Sequence, residues 1–429
     1  MLQGRPGGAA AASVRWRCVI IAVVALVVAL VVALGWRNAW APATGALAGL
    51  GVALVGGAAT RIDVEHALGD LWRPMISIVG IMATTSCAAE LGIFTRLAAW
   101  IEPRTRGPVK HAFRLVFLLA ALTAAVLSND AAILLLTPVV IELLRAVYPR
   151  RNPKFLMPFA FAAFVAAGVA PLPTGNPMNL VVAYRAGIDV NRYALHMIPV
   201  AIAGWLVAYA MLAWCYRDAL ADEAPALGAA PPVIPLSGHA KLVLIATGAS
   251  IASYPLLAAL GQPIWPVALP AALVCVGAAL HRRVAARAIA AGISWELLPF
   301  LFGVLVLATA LARAGVTDRL RALYADTPYP LATVGGIAAA GSALIDNHPM
   351  ALLHSLALAD APDKLVFAAL VGGDLGPRLL PIGSLAGLMW THQLHQKGVV
   401  VPLSTFLRVG FVVTIPSLLA SLGVLWLVT

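Results

Sequence analysis

The stretch LSNDAAILLLTPVV (Leu127–Val140) decides how this chain folds, because it sets Ser128, Asn129 and Asp130 inside a long apolar run. Polar groups survive at membrane depth only where they are buried in protein or line a wet cavity. The rest of the chain supplies the membrane. Of 429 residues, 62% are hydrophobic and 11% charged, with a mean hydropathy of +0.92. Soluble domains carry about 25% charged residues, so this composition cannot clothe a water-facing globule. Helices are the spanning element that suits apolar runs of this length.

The net charge of +11 fits the same setting. Lys and Arg gather in loops between apolar runs, as they do on the cytoplasmic side of membrane proteins. No basic stripe of the kind that binds nucleic acid is visible. Cys18, Cys87, Cys215 and Cys275 are scattered without a C-x-x-C pair. They read as small apolar fillers rather than a disulfide framework or a metal site. His392 and His395 lack carboxylate or Cys partners nearby, so no metal and no cofactor are expected. Arg15 and Arg17 precede the run Cys18–Leu34, but Ala33-Leu34-Gly35-Trp36-Arg37 makes a poor cleavage site. The run is therefore read as a retained first helix.

Working outward, apolar runs lie near 18–34, 41–59, 74–91, 115–144, 155–183 and 195–216, and then near 240–260, 264–280, 293–311, 329–358, 365–395 and 403–427. A Pro- and Ala-rich linker, 217–239, separates the two sets. The halves share landmarks in the same order, the mark of an internal repeat. ELGIFTRL (Glu90–Leu97) matches RAGVTDRL (Arg313–Leu320), pairing Gly92 with Gly315. Trp72 and Trp295 each stand 20 residues before those glycines. SNDAAILL (Ser128–Leu135) resembles IDNHPMALL (Ile345–Leu353), and LPTGNPMNL (Leu172–Leu180) pairs with LPIGSLAGL (Leu380–Leu388).

Charge sets the sidedness. Arg96, Arg104, Arg106, Lys110 and Arg114 precede 115–144, and Arg145, Arg150, Arg151 and Lys154 follow it. Both flanks belong in the cytoplasm, so 115–144 is read as a re-entrant hairpin with Ser128-Asn129-Asp130 at its tip. Its arms are expected to be about a dozen residues each, too short to span singly. The flanks of 329–358 are mixed, Arg319 and Arg321 against Asp318 and Asp326, which suits the outside. Arg282, Arg283 and Arg287 suit the cytoplasm one crossing earlier.

The expected fold is an all-α polytopic membrane protein of two inverted repeats, each with five transmembrane crossings, a re-entrant hairpin and a broken helix. The first repeat is 1–216, with hairpin 115–144 and broken helix 155–183. The second is 240–429, with hairpin 329–358 and broken helix 365–395. This topology leaves the N-terminus outside despite Arg5, Arg15 and Arg17.

Hairpin tips that face broken helices at mid-depth build the binding sites of secondary transporters. Pro171, Pro173 and Pro177 cannot continue a helix. The freed backbone groups, with Thr174, Gly175, Asn176 and Asn179, become ligand groups for a substrate or ion. Gly383 and Ser384 are their partners in the second half, and Asn129, Asp130, Asp346 and Asn347 join from the tips. Asp130, Asp346 and Asp374 are costly in a membrane unless paired, protonated or wet, so they are candidates for proton coupling. Asp374 and Arg378 are four apart, which suits either a local ion pair on one helical face or a direct functional role. His348 suits a proton relay or a hairpin cap. Glu90 reads as a helix-end residue.

With these residues in place, Phe367–Gly398 (FAALVGGDLGPRLLPIGSLAGLMWTHQLHQKG) and the preceding DNHP resemble the C-terminal half of bacterial arsenite permeases of the ArsB type. SNDAAILLLTPVV resembles that family's first hairpin motif. The similarity in order and spacing runs over nearly the whole chain. It implies an ion transporter superfamily fold and export of arsenite and antimonite, as neutral trihydroxides, in exchange for protons. It places the protein in the bacterial inner membrane, and some such permeases work with a cytoplasmic ATPase subunit. On the family's motif positions stand Asn129, Asp130, Asn347, Asp374, Gly383 and Ser384. Two stretches depart from it: Asp346-Asn347-His348 replaces paired asparagines, and Gly175-Asn176-Pro177-Met178-Asn179 is closer to anion- and sodium-linked relatives. A sodium- or proton-coupled carrier of carboxylates or inorganic anions, or a sodium/proton antiporter, is therefore the alternative.

An enzyme is not expected. Gly372-Gly373-Asp374 resembles the pattern of intramembrane aspartyl proteases, but Val371 stands where a glycine is needed and no Tyr-Asp partner is present. A membrane scaffold or receptor would not need paired polar tips.

Overall fold

The computed structural model describes residues 20–22, 24–25, 27–29, 32, 40–93, 96, 108–126, 129–148, 152–222, 235–260, 262–293, 295–313, 315–396 and 398–429. All regular structure among them is helical. In the first half, α1 is Ala41–Val55, α2 Arg61–Glu90, α3 Val109–Val126 and α4 Asn129–Val147. They are followed by α5 (Asn152–Ala166), α6 (Pro177–Arg185) and α7 (Val190–Cys215). In the second half come α8 (Gly238–Ala259), α9 (Trp265–His281), α10 (Leu297–Arg313), α11 (Val316–Ala325), α12 (Pro330–Ile345) and α13 (Asn347–Ala357). Then α14 (Asp363–Leu375), α15 (Leu385–Gln396) and α16 (Leu403–Val428) close the chain.

Capping fixes the helix starts. The backbone N–H of Thr60 donates to Asp63 at 2.7 Å in the first turn of α2. Asp189 accepts from the N–H groups of Asn191 and Arg192 at the head of α7, filling the donors that an α-helix leaves open. Arg313, at the end of α10, also donates to the buried Asp63, at 2.6 Å from Nη1 to Oδ2. That bond ties the end of one helix to the start of another 250 residues away.

By length and composition, α7 and α16 are long and apolar enough to cross a membrane, at 26 residues each. Their contact is close because small residues line it. A side chain on Gly204 would begin 2.7 Å from Ser421 Oγ, and that hydroxyl donates to the Val200 carbonyl. Apolar association has little drive in lipid, so small-residue packing of this kind holds spans together. The pair α10 and α11 is inclined at 71° across Gly315. Elsewhere α2 packs on α9, and α1 on α10.

The hairpin arms differ from expectation. In the first hairpin α3 has 18 residues and α4 has 19. At 1.5 Å per residue each reaches about 27 Å, close to the thickness of a hydrocarbon core. The apolar pattern under-measured them because Lys110, His111, Arg114 and Arg145 lie within the helical ends. The second hairpin is shorter, with 16 residues in α12 and 11 in α13.

Packing places the breaks at the centre. One core gathers α3, α4, α5 and α15, with Trp390 stacked on Phe164 at 4.6 Å between ring centroids. The other gathers α1, α6, α10, α13 and α14.

Candidate functional site

The two breaks have nearly the same backbone. Helix α5 stops at Ala166, and Pro173–Gly175 forms a single 3-10 turn before α6. Helix α14 stops at Leu375, and two 3-10 turns, Gly376–Arg378 and Pro381–Gly383, precede α15. Leu172 has φ −122° and ψ 148°, and its counterpart Leu380 has φ −133° and ψ 143°. Proline at the first position of each turn lacks an N–H and fixes φ. Asn176 then caps α6, its Oδ1 accepting from the Met178 N–H at 3.0 Å. Ser384 caps α15 through Oγ, which accepts from Gly387 N–H at 3.0 Å. Thr174 and Gly175 are buried in the first turn, and Gly383 in the second.

Asp374 joins the breaks. It is the second-last residue of α14 and is buried. Its Oδ1 accepts from Asn176 Nδ2 at 2.7 Å. Its Oδ2 accepts from Asn179 Nδ2 at 2.8 Å and from the Ala170 N–H at 2.9 Å. Asn179 Nδ2 also donates to Tyr193 Oη at 2.9 Å, and that phenol donates to the Ala170 carbonyl. A carboxylate of the second half therefore satisfies orphaned donors of the first. Charge-assisted bonds of this kind are roughly twice as strong as neutral ones.

The ion pair that the spacing of Asp374 and Arg378 suggested is not formed. Among the described residues these two side chains make no contact within 4 Å of the kind an ion pair needs, since Arg378 bonds elsewhere. Helix α14 has by then tightened into a 3-10 turn, so the four-residue helical register is lost. Arg378 turns instead to the end of α5, where Nη2 donates to the Val165 carbonyl. A cation there suits the free carbonyls of a helix C-terminus. Gly168 makes room for it, because a Cβ at that position would lie 2.6 Å from Nη2.

The hairpin tips contribute unequally. Asn129 is the first residue of α4, is buried, and donates from Nδ2 to the Gly168 carbonyl at 2.9 Å. Asn347 is the first residue of α13 and is also buried, and its Oδ1 has no partner among the described residues. Between the arms of the second hairpin, Asp346 takes the left-handed φ of 76°. Its Oδ1 accepts from the His348 N–H at 3.0 Å and lies 2.8 Å from His348 Nδ1. Asp346 and His348 thus cap α13 together, and the His348 ring rests against Phe300. Ser128 lies outside the described residues, as does the side chain of Asp130.

The structure brings Asn129, Asn176, Asn179, Asp374 and Arg378 onto the first break. It does not bond Asp346 or Asn347 to that group. Sequence reasoning missed Gly168 and Tyr193. Gly168 is the only glycine between Lys154 and Leu172, directly before the prolines, and this was a usable signal. Tyr193 carries none, since it stands in the mixed stretch just before the apolar run 195–216 and matches no motif.

Comparison with known proteins places this arrangement. Residues 11–387 match the family model CitMHS, described as citrate transporter. The arsenical pump membrane protein of Escherichia coli K12 is 28% identical over 407 residues, covering 90% of this chain and 92% of that one. Its counterpart in Yersinia enterocolitica is 28% identical over 395 residues, covering 87% and 90%. An uncharacterised transporter of Mycobacterium tuberculosis is 26% identical over 403 residues, covering 88% and 91%. Among solved structures, the YdaH transporter of Alcanivorax borkumensis superposes with a TM-score of 0.55 at 15% identity, covering 84% of this chain and 86% of that one. MtrF of Neisseria gonorrhoeae, from a class of antimetabolite efflux pumps, gives 0.56 at 12% identity, covering 84% and 82%. The fold is that of these multi-pass membrane transporters.

Proposed function

The chain belongs to the citrate transporter family CitMHS, and we propose that it is a secondary active transporter exporting arsenite and antimonite in exchange for protons. The ArsB resemblance of Phe367–Gly398 is matched by relatives named arsenical pump membrane proteins over nearly the whole length. Transport rather than catalysis follows from the family.

One observation carries the reading: Asp374 holds Asn176, Asn179 and the Ala170 N–H across the two breaks. Protonation of Asp374 weakens three charge-assisted bonds at once. The amides of Asn176 and Asn179 are then free to bind a neutral trihydroxide, which offers donors and acceptors but no charge. Asp130 and Asp346 are further proton carriers, with His348 beside Asp346. Recognition runs through hydrogen bonds, because the thiols of Cys87 and Cys275 lie in a separate apolar cluster.

We read the halves as inverted repeats that move against each other. Three relations support this. The contact of α2 with α9 has its counterpart in α1 with α10. The contact of α4 with α15 has its counterpart in α13 with α6. Gly92 and Gly315, paired by sequence, both take positive φ, at 70° and 86°. The repeats would be 1–216 and 240–429, joined by the linker 217–239, in a bacterial inner membrane. A cytoplasmic ATPase subunit is a proposed partner.

The test is arsenite accumulation in cells lacking their own exporter, with and without this protein, and with Asn129→Ala as control. Lower accumulation that the variant restores supports metalloid export through the first hairpin. Unchanged accumulation, with the protein present in the membrane, overturns it. A second reading, carboxylate or inorganic anion transport coupled to sodium or protons, rests on Gly175-Asn176-Pro177-Met178-Asn179 and on the family's description. Uptake assays with citrate would then be the next measurement.

A further inference from the structure

We propose that Arg378 and Trp205 form a binding site for one compact anion, a halide or a single carboxylate group, beside the first break. Arg378 is 3% exposed, yet only Nη2 has a partner. Nε and Nη1 find none among the described residues. A buried guanidinium with donors unmet is costly, far more so than one fully bonded. Asp374 makes no hydrogen bond to Arg378, and its two oxygens accept instead from Ala170, Asn176 and Asn179.

Trp205, on α7, brings a second orphan to the same place. Its indole Nε1 is buried without a partner among the described residues. A Cβ built on Gly168 would lie 2.6 Å from Arg378 Nη2 and 3.4 Å from Trp205 Nε1, so both groups flank one residue. Helix α16 closes the site from another direction. Gly410 packs against the Arg378 carbonyl.

The donor set selects the ligand. Guanidinium and indole can donate and cannot accept, so what completes them is an acceptor. Cations are excluded on the same ground. Asp374 lies close enough to act on the guanidinium electrostatically but gives Nε and Nη1 no acceptor, so a negatively charged acceptor atom suits them best in this low-dielectric setting. A neutral trihydroxide could not supply it. The anion is therefore additional to the metalloid, and its binding stands or falls independently of metalloid export.

The test uses the purified full-length protein in micelles, in sodium sulfate at constant ionic strength, titrated with chloride, nitrate or acetate. Thermal unfolding midpoint and tryptophan emission are read together. The wild type should show a saturable rise in midpoint and a saturable emission change. Trp205→Phe keeps the ring and removes the donor. It should lose the emission change and bind about tenfold more weakly, the loss expected for one buried hydrogen bond. Arg378→Lys should weaken binding at least as much. If variants of Arg378 do not fold, Trp205→Phe still decides. A response to acetate alone identifies a carboxylate, and a response to chloride and nitrate identifies a free inorganic anion. Either supports the site. No saturable response to any of the three, or unchanged affinity in Trp205→Phe, overturns it.

Discussion

The Nδ2 of Asn176 donates to Asp374 Oδ1 at 2.7 Å, joining two helix breaks that lie 198 residues apart in the chain. Each break leaves backbone and side-chain donors that its own half does not satisfy. Asp374 supplies acceptors from the other half, and Arg378 supplies a donor to the Val165 carbonyl in the same direction. The centre is held by charged groups of the second half bonded to neutral groups of the first. Any movement of the halves against each other has to break or follow these bonds.

Asp374→Asn tests the link. The side chain keeps its shape, but one accepting oxygen becomes a donor facing Asn176, or Asn179 and Ala170. Losing bonds to a charged acceptor costs about 1.5–3 kcal/mol each, and a donor–donor clash adds to it. The thermal midpoint should fall clearly, and the proposed arsenite export should drop to background at normal membrane abundance. A variant with wild-type midpoint and wild-type export would remove Asp374 from the centre.

Asn129 and Asn347 should separate stability from transport. Asn129→Ala removes a buried bond to the Gly168 carbonyl and should cost about 1–3 kcal/mol. The Oδ1 of Asn347 has no partner among the described residues to lose, so Asn347→Ala should unfold at nearly the wild-type temperature. Under the proposed arsenite export, both variants should nonetheless fail to lower cellular arsenite. If Asn347→Ala exports normally, the second hairpin tip is not part of the path.

Much of this was legible before any coordinates. The prolines of LPTGNP and LPIGS announced the breaks, because proline forbids helix continuation whatever its surroundings. Gly92 and Gly315, which the sequence landmarks align, both take the left-handed conformation that favours glycine. The link from Asp374 to Asn176 and Asn179 was not visible, since it depends on two distant elements meeting. Spacing misled at Arg378, because i and i+4 face each other only while the helix remains α, and here it tightens to 3-10 at Gly376. The lengths of α3 and α4 were under-read because charged residues inside their ends interrupt the apolar pattern.

Gly315→Ala tests the bend between α10 and α11. A residue with a side chain held at φ 86° costs about 1–2 kcal/mol. Gly92→Ala should cost a similar amount at φ 70°. Space is not the cause at Gly92, where an added Cβ meets nothing within 4 Å. Equal midpoints for wild type and both variants would show that the turns adapt.

Gly168→Ala should be more damaging than either, and for a different reason. Its backbone conformation is open to any residue, but the added methyl would lie 2.6 Å from Arg378 Nη2 and 3.4 Å from the Trp205 indole. The guanidinium would have to leave the Val165 carbonyl, and the Gly168 carbonyl would shift under Asn129. Two hydrogen bonds would thus be disturbed by a single carbon, and overpacking of a tight interior costs about 1–3 kcal/mol before lost hydrogen bonds are counted. Gly277→Ala on α9 is the matched control. Nothing lies within 4 Å of the Cβ it would add, and alanine in a helix interior should stabilise by about 0.5–1 kcal/mol. If Gly168→Ala fails because Arg378 is displaced, Arg378→Lys in the same chain should recover part of the midpoint. Lysine carries a slimmer head and needs less room. Failure of the double variant to exceed Gly168→Ala, measured as thermal midpoint, would place the clash at Trp205 instead. Equal midpoints for Gly168→Ala and Gly277→Ala would show that the guanidinium does not depend on that space at all.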